Sequence, residues 1–316
     1  DNPLRNFYAY LTEDEEYLII GETESTSGNA LYAAKLDKLT NIKFTKIAEG
    51  FENDYTVVDN IGDELLIITN FNAPNQQLIS TKYNNSDPTN WKEVIPEKEN
   101  VLQGVSLVGD MLFAQYIKDA SSKAYFYNTD GTYVREFELP GIGTLSGFNG
   151  EKGKNIAFYG FTSFTFPSIV YKYDIDKNES EVMHTSEVDF TPSDYVTNQV
   201  FYESKDGTKV PMFIIHKKDI KLDGNNPTML YGYGGFNISL TPSFSISRVS
   251  FLEQGGIYVM ANLRGGGEYG EKWHKAGTLL QKQNVFDDFI YAAKYLIKNK
   301  YTSSEKLAII GGSNGG

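Results

Sequence analysis

A repeat of roughly 45 to 48 residues runs through residues 1–185 and constrains the fold more than any other feature of the chain. Each copy contains two apolar segments bounded by polar turns. The first segments are centred on Leu18, Leu66, Leu112 and Ala157, and the second on Leu31, Leu78, Tyr125 and Val170. This period is typical of four-stranded propeller blades, which bury their faces only against neighbouring blades. A β-sandwich with accidental spacing is the alternative, and the propeller is favoured because both landmarks keep the same period.

The hydrophobic pattern changes after about residue 190, where strands and helices begin to alternate. Two apolar runs on either side of Lys205-Asp206-Gly207 predict a β-hairpin over 198–204 and 209–216. Further strands are predicted at 228–232 and 256–261. This order predicts the first part of a parallel α/β sheet.

One helix is predicted from Asn284 to about Lys298, with Asn284 as its N-cap and Asp287 in the first turn, where the helix dipole favours negative charge. Its apolar positions keep the helical period. They are Phe286, Phe289 or Ile290, Ala293, and Leu296 or Ile297.

The last six residues, Gly311–Gly316 (GGSNGG), directly follow an apolar run at 307–310. A buried strand that runs into G-x-S-x-G is typical of a nucleophile elbow, in which glycines leave room for a sharp turn. The pattern predicts Ser313 as a catalytic nucleophile. A serine in an ordinary Gly-rich turn is the less favoured alternative, because a strand and a helix–strand unit precede it.

A nucleophilic serine needs a histidine base that is oriented by a carboxylate. The chain has three histidines, His184, His216 and His274, and all of them precede Ser313. In the α/β-hydrolase order the Asp and the His follow the serine. We therefore expect these histidines to be surface or packing residues and the triad to be incomplete within this chain.

Two Gly-rich segments follow predicted strands. The first, Tyr231–Asn237 (YGYGGFN), has the position of a loop that helps to build an oxyanion hole, with the Asn314 amide and a tyrosine hydroxyl as candidate donors. A packing loop is an equally good interpretation. The second, Arg264–Gly270 (RGGGEYG), matches neither the dinucleotide-binding motif nor the P-loop. We expect it to be an irregular loop near the same edge of the sheet.

Composition narrows the possible partners. The net charge of −12 disfavours nucleic acid, and no apolar stretch is long enough to span a bilayer. The absence of cysteine excludes disulfides, thiolate zinc sites and a cysteine nucleophile. No carboxylate cluster has metal-ligand spacing, so neither a metal nor a cofactor is expected. The first residues resemble no signal peptide and include no initiator Met, which leaves the compartment open between cytoplasm and periplasm.

Five segments together resemble the prolyl oligopeptidase family. They are YGYGGFN at 231–237, NLRGGGEYG at 262–270, WHKAG at 273–277, QNVFDDF at 283–289 and GGSNGG at 311–316. The resemblance is dense over 195–316 and weaker before it. It implies an all-β propeller, with about four of seven blades in residues 1–190, followed in residues 191–316 by the first part of an α/β-hydrolase catalytic domain.

The resemblance also implies the chemistry. Ser313 would be the nucleophile, the Tyr233 hydroxyl and the Asn314 amide would be the oxyanion donors, and Phe236 would line a pocket for a proline ring. Short peptides would be cleaved after proline, and the propeller would exclude folded proteins. A relative that cleaves after basic residues, similar to oligopeptidase B, and a non-catalytic peptide-binding propeller are the alternatives.

The chain differs from the family in extent, because the triad Asp and His of the family lie beyond the elbow. We therefore expect a fragment that is inactive alone. The C-terminal remainder of the enzyme, on a separate chain, is a possible partner.

Overall fold

In a computed structural model, residues 2–37 and 42–316 of the chain are described. The first part consists of four antiparallel sheets, each with four strands that neighbour one another in chain order. The strands are β1 (Asn6–Leu11), β2 (Tyr17–Thr23), β3 (Ala30–Lys35), β4 (Thr45–Ala48), β5 (Tyr55–Ile61), β6 (Glu64–Thr69), β7 (Gln77–Lys82), β8 (Lys92–Ile95), β9 (Val101–Val108), β10 (Met111–Lys118), β11 (Ser121–Asn128), β12 (Tyr133–Phe137), β13 (Thr144–Gly150), β14 (Ile156–Thr162), β15 (Ile169–Asp174) and β16 (Glu179–Thr185). The two landmarks of every repeat fall in the second and third strands of one sheet, which confirms the predicted propeller blades.

Neighbouring blades are joined by three hydrophobic clusters, each with side chains from two successive sheets. The cluster between the third and fourth blades is rich in aromatic rings. In it Phe113 stacks on Phe148 with ring centroids 3.7 Å apart, and Phe137 meets Tyr159 edge-on at 5.2 Å. Burying one such ring stabilises the fold by roughly 1.5–3 kcal/mol, so the blades support one another as a stack.

A lysine in the turn between β13 and β14 links the fourth blade to the first two. The Lys152 Nζ atom lies 3.0 Å from Asp59 Oδ2 and 3.3 Å from Asp14 Oδ2. The Lys152 backbone amide donates to both oxygens of the Glu13 carboxylate, at 2.9 and 3.1 Å. These contacts hold the inner turns of the propeller together.

The second part is a five-stranded sheet with three helices. Its elements are β17 (Tyr195–Glu203), β18 (Lys209–Lys217), β19 (Thr228–Gly232), α1 (Ile246–Glu253), β20 (Ile257–Ala261), α2 (Gly270–Lys275), α3 (Gln283–Lys298) and β21 (Leu307–Ile310). The strand order is β17-β18-β20-β19-β21. The hairpin β17–β18 and the strand–helix–strand order are confirmed. Because β21 is parallel to β19 and pairs with it up to Tyr231 and Ile310, the loops that follow these two strands meet at one edge.

The predicted cap of α3 is wrong. The helix begins at Gln283, and the Asn284 side chain instead donates to the Ala276 carbonyl at 2.9 Å. Lys282 occupies the cap position, and its side chain makes no capping hydrogen bond. A short 3-10 turn at Leu279–Gln281 feeds directly into the helix, so the chain enters α3 already helical.

The predicted apolar face of α3 is also partly wrong. The buried residues are Val285, Asp288, Ala292 and Leu296. Phe286, Ile290 and Ile297 are exposed, because apolar residues fill two adjacent rows of the helix and only one row packs on the sheet. Across the described residues, no helix is both long and apolar enough to cross a membrane.

Several contacts fix the propeller against the five-stranded sheet. The Tyr269 hydroxyl donates to Asp119 Oδ1 at 2.9 Å, and the Thr144 hydroxyl donates to the Pro242 carbonyl at 2.6 Å. Phe164 of the propeller packs against Phe213 of β18, with ring centroids 5.3 Å apart. The edge of the sheet at which β19 and β21 end is therefore held near the propeller.

Candidate active site

The sharp turn after β21 has the backbone geometry of a nucleophile elbow. Ser313 has a φ of 53°, in the left-handed region that costs an L-residue roughly 1–3 kcal/mol. A Cβ atom at Gly311 would lie 1.7 Å from the carbonyl oxygen of Gly315, so the turn excludes any side chain at position 311. The predicted elbow is therefore a strained turn that glycines make possible.

The predicted strand before the elbow is present, and within residues 1–316 its side chains are largely exposed. Ile309 and Ile310 are 69% and 46% exposed. Among the described residues β21 is the outermost strand on its side of the sheet, so its side chains lack neighbours there. An apolar run predicted the strand correctly but could not place it within the sheet.

The residue after the serine locks the elbow to the Gly-rich loop that follows β19. Asn314 Nδ2 donates to the Tyr233 carbonyl oxygen at 2.7 Å. A Cβ at Gly235 would lie 2.4 Å from the same Nδ2 atom, so glycine is required where the Asn314 side chain crosses the loop. A Cβ at Gly315 would lie 3.2 Å from the Tyr233 Cα. The fold thus brings Ser313, Asn314 and Tyr233 together from segments about 80 residues apart in the chain.

Phe236 lies at the outer end of this loop. It has a φ of 52°, and its side chain is 55% exposed. The next amide, that of Asn237, donates to the Gly265 carbonyl at 3.2 Å. An exposed aromatic ring on a backbone anchored in this way offers an apolar surface beside the elbow.

None of the three histidines is hydrogen-bonded to Ser313 in the described part of the chain. His184 is exposed on β16, and His216 on β18 contacts the Lys217 carbonyl through Nδ1 at 2.7 Å. His274 Nδ1 lies 2.8 Å from the Gly265 carbonyl oxygen and 3.1 Å from the Asn237 amide nitrogen, so this ring supports the Gly-rich loop. The expectation of packing roles agrees with these contacts for His216 and His274. Within the described residues, no group of three or more His, Asp or Glu side chains is placed to hold a metal ion.

Comparison with known proteins identifies the family. Residues 1–186 match the model of the prolyl oligopeptidase N-terminal β-propeller domain, and residues 242–316 match the prolyl oligopeptidase family model. The chain belongs to the prolyl oligopeptidase family.

Relatives within this family cover nearly the whole chain. The prolyl endopeptidases of Elizabethkingia miricola and Elizabethkingia meningoseptica are 48% and 47% identical to it over 314 residues, which make up 99% of this chain and 44% of each relative. A structure from a study of two prolyl endopeptidases aligns with a TM-score of 0.93 at 42% identity, over 99% of this chain and 46% of that one. The chain therefore spans less than half the length of these family members.

A buried ion-pair network supports the site in this family member and was not predicted. Arg264 Nη2 lies 2.6 Å from Asp288 Oδ1 of α3, and Arg264 Nη1 lies 2.6 Å from Asp206 Oδ2 of the β17–β18 turn. The Arg264 and Asp288 side chains are only 5% and 0% exposed. Ser204 completes the network by donating to Asp288 Oδ1 at 2.5 Å. No local pattern in the sequence marks this network, because Asp206, Arg264 and Asp288 come from separate segments that only the fold brings together.

The contribution of Asp206, the most exposed member of the network, to stability depends on pH. The hydrogen bond from Arg264 lowers the pKa of Asp206 from 3.8 to about 2. A carboxyl whose folded pKa is lowered contributes stability above its unfolded pKa and loses it as pH falls towards the folded value. The contribution of Asp206 is therefore lost between about pH 4 and pH 2.

A second buried carboxyl lies in the loop between Arg264 and α2. Glu268 Oε1 accepts from the Leu240 amide at 2.9 Å and from Asn262 Nδ2 at 3.1 Å. Glu268 Oε2 has no hydrogen-bond partner among the described residues. Burial raises the pKa of Glu268 to about 7, so the group is a neutral acid over much of the acidic range.

Replacing Glu268 by glutamine is expected to flatten the dependence of stability on pH. Because the folded pKa lies above the ordinary value of 4.5, the stabilisation is complete below about pH 4.5 and is lost as pH rises towards about 7. The loss is of the order of 3 kcal/mol, and Glu268→Gln removes it because the amide cannot ionise. Denaturant unfolding of the complete protein at pH 5 and pH 8 measures the effect, with the exposed Glu305→Gln as control. An unchanged difference between the two pH values in Glu268→Gln contradicts the assignment.

Proposed function

We propose that the protein containing this chain is a serine peptidase that cleaves short peptides on the carboxyl side of proline, through an acyl-enzyme on Ser313. One observation carries the proposal: Ser313 sits at a left-handed φ in a glycine-bounded elbow, and the next residue, Asn314, is hydrogen-bonded to the Gly-rich loop. The prolyl endopeptidase names of the relatives support the substrate class. Those relatives are more than twice as long as this chain, so the activity is assigned to the whole protein.

Each residue has a distinct role in this proposal. The Ser313 hydroxyl attacks the carbonyl carbon of the scissile bond, and the carbonyl oxygen becomes an oxyanion. The Asn314 backbone amide and the Tyr233 hydroxyl donate hydrogen bonds to that oxyanion, which is where preorganised donors lower the barrier most. Phe236 presents its ring to the proline side chain, which has no donors and favours a flat apolar surface.

The base would come from a segment that residues 1–316 do not contain, on the same polypeptide or on a separate chain that completes the enzyme. In support, His216 and His274 contact backbone carbonyls of Lys217 and Gly265, and His184 is exposed on β16. A histidine held by a carboxylate removes the serine proton and returns it to the leaving amine.

We further propose a propeller domain over residues 1–190 and a catalytic domain from 191 to 316. The last propeller strand ends at Thr185 and the first strand of the five-stranded sheet begins at Tyr195, which supports the division. Because contacts such as Tyr269–Asp119 hold the propeller against the sheet, it would restrict access to short peptides.

Fluorogenic peptides of matched sequence test the specificity. We expect kcat/KM for a substrate with proline before the scissile bond to exceed that for arginine or lysine by at least about 100-fold, because the exposed Phe236 offers no charge to a basic side chain. Equal or higher rates on the basic peptides would favour an enzyme similar to oligopeptidase B. Absence of turnover on every peptide, together with absence of labelling by a fluorophosphonate, would favour a non-catalytic binding module.

A further inference from the structure

We propose that Lys282 is a positioning residue: it holds the two oxyanion donors, the Asn314 amide and the Tyr233 hydroxyl, in their positions relative to each other. The proposal rests on the proposed function, because it concerns the efficiency of the same site. Lys282 directly precedes α3 and belongs to none of the five segments that resemble the family.

The Lys282 ammonium group connects the elbow to the Gly-rich loop. Its Nζ atom donates to the Gly234 carbonyl at 2.9 Å and to Asn314 Oδ1 at 3.2 Å. Asn314 Nδ2 in turn donates to the Tyr233 carbonyl at 2.7 Å. The three hydrogen bonds tie both residues assigned as oxyanion donors to one cation.

The donor and acceptor roles in these hydrogen bonds agree with one another. An ammonium group can only donate, so the Asn314 amide must turn its oxygen towards Lys282 and its nitrogen towards a carbonyl. The carbonyl that accepts from this nitrogen is that of Tyr233. Lys282 thereby fixes the orientation of the Asn314 side chain, and this side chain fixes the backbone of the loop.

The position of Lys282 is not explained by stability of the helix. The N-terminal end of a helix carries partial positive charge, so a cation there is unfavourable. Partial burial also lowers the pKa of Lys282, which reflects a cost of holding its charge away from water. Two carbonyl-type acceptors at the site offset these costs, and both belong to the oxyanion arrangement.

Loss of this contact should affect the transition state more than the bound substrate. The donors must lie about 3 Å from the oxyanion, which forms only in the transition state, and a displacement of about 1 Å costs up to 100-fold in rate. Binding of the peptide substrate before the reaction depends less on these donors, because its carbonyl oxygen does not yet carry the charge. The expected signature is therefore a fall in kcat with little change in KM.

The test compares Lys282→Met, Lys282→Arg and the exposed control Lys272→Met in the complete protein. We expect Lys282→Met to lower kcat per fluorophosphonate-titrated site by about tenfold or more, with KM within about twofold. Affinity for a peptide aldehyde ending in proline, whose adduct carries the oxyanion, should fall by the same factor as kcat. Lys282→Arg should recover part of both losses, and Lys272→Met should equal the wild type.

A cycle with Asn314→Ala separates positioning from general destabilisation. That variant keeps the Asn314 backbone amide but removes the side chain on which Lys282 acts, so the double variant should lose less than the product of the single losses. The proposal is overturned if Lys282→Met keeps the wild-type kcat and the wild-type affinity for the aldehyde. It is also overturned if KM rises and kcat does not fall. If Lys282→Met does not fold, Lys282→Gln takes its place with the same criteria. A wild-type protein that neither cleaves peptides nor reacts with fluorophosphonate contradicts the proposed function instead.

Discussion

Ser313→Ala in the complete protein is expected to lower kcat for a proline-containing peptide by roughly 10⁴- to 10⁶-fold and to abolish labelling by a fluorophosphonate. The change removes the only atom of the elbow that can form the acyl-enzyme. Any remaining activity would come from substrate binding and from the proposed Asn314 and Tyr233 donors, which would stabilise the oxyanion formed when water attacks the carbonyl carbon directly.

The fold should tolerate this substitution. Serine and alanine are both L-residues with a Cβ, so the strain of the left-handed φ at position 313 is the same in both. An unfolding transition like that of the wild type is therefore expected. Ser304→Ala, an exposed serine three residues before β21 begins at Leu307, is the matched control and should retain full activity. Turnover or labelling that survives in Ser313→Ala would assign the nucleophile elsewhere.

The propeller could be predicted from the sequence because its order is local. Each blade is a meander in which every strand pairs with the next strand in the chain. A period of roughly 45 to 48 residues and the polar turns within it are therefore enough to predict which strands pair. The hairpin around Asp206-Gly207 and the helix ending at Lys298 were predictable for the same reason. Local turn chemistry and helical period determine both.

Features that depend on distant contacts could not be predicted in this way. The place of β21 beside β19, and not beside β20, which precedes it in the chain, is a non-local feature that no local pattern contains. Asn284 looks like a helix cap, but its side chain is taken by the Ala276 carbonyl. Lys282 and Asn314 are 32 residues apart, and their contact exists only because α3 and the elbow pack together.

Asp288→Ala is expected to destabilise the complete protein by about 3–5 kcal/mol, enough to unfold it at moderate temperature. The Asp288 side chain is fully buried and accepts from both Arg264 and Ser204. Its removal leaves the Arg264 guanidinium, itself only 5% exposed, without its buried counter-charge. An unpaired buried charge is far more costly than the net contribution of the pair.

The neighbouring residue provides the control for this experiment. The Asp287 side chain is 14% exposed, but its partners Lys205, at 3.4 Å, and Gln283, at 3.1 Å, both reach solvent and are left in water when it is removed. Asp287→Ala should therefore cost about 1 kcal/mol in a denaturant titration, well below Asp288→Ala. The double variant Arg264→Met/Asp288→Leu should be more stable than Asp288→Ala, because apolar side chains of similar volume leave no buried charge unpaired. Equal destabilisation by Asp287→Ala and Asp288→Ala would contradict the network.

Arg264 also supports the site, since its backbone amide donates to Asp288 Oδ2 at 3.1 Å and the next carbonyl, that of Gly265, accepts from Asn237. Loss of Asp288 should therefore loosen the Gly-rich loop at temperatures where the fold still survives, and kcat should fall before the unfolding transition begins.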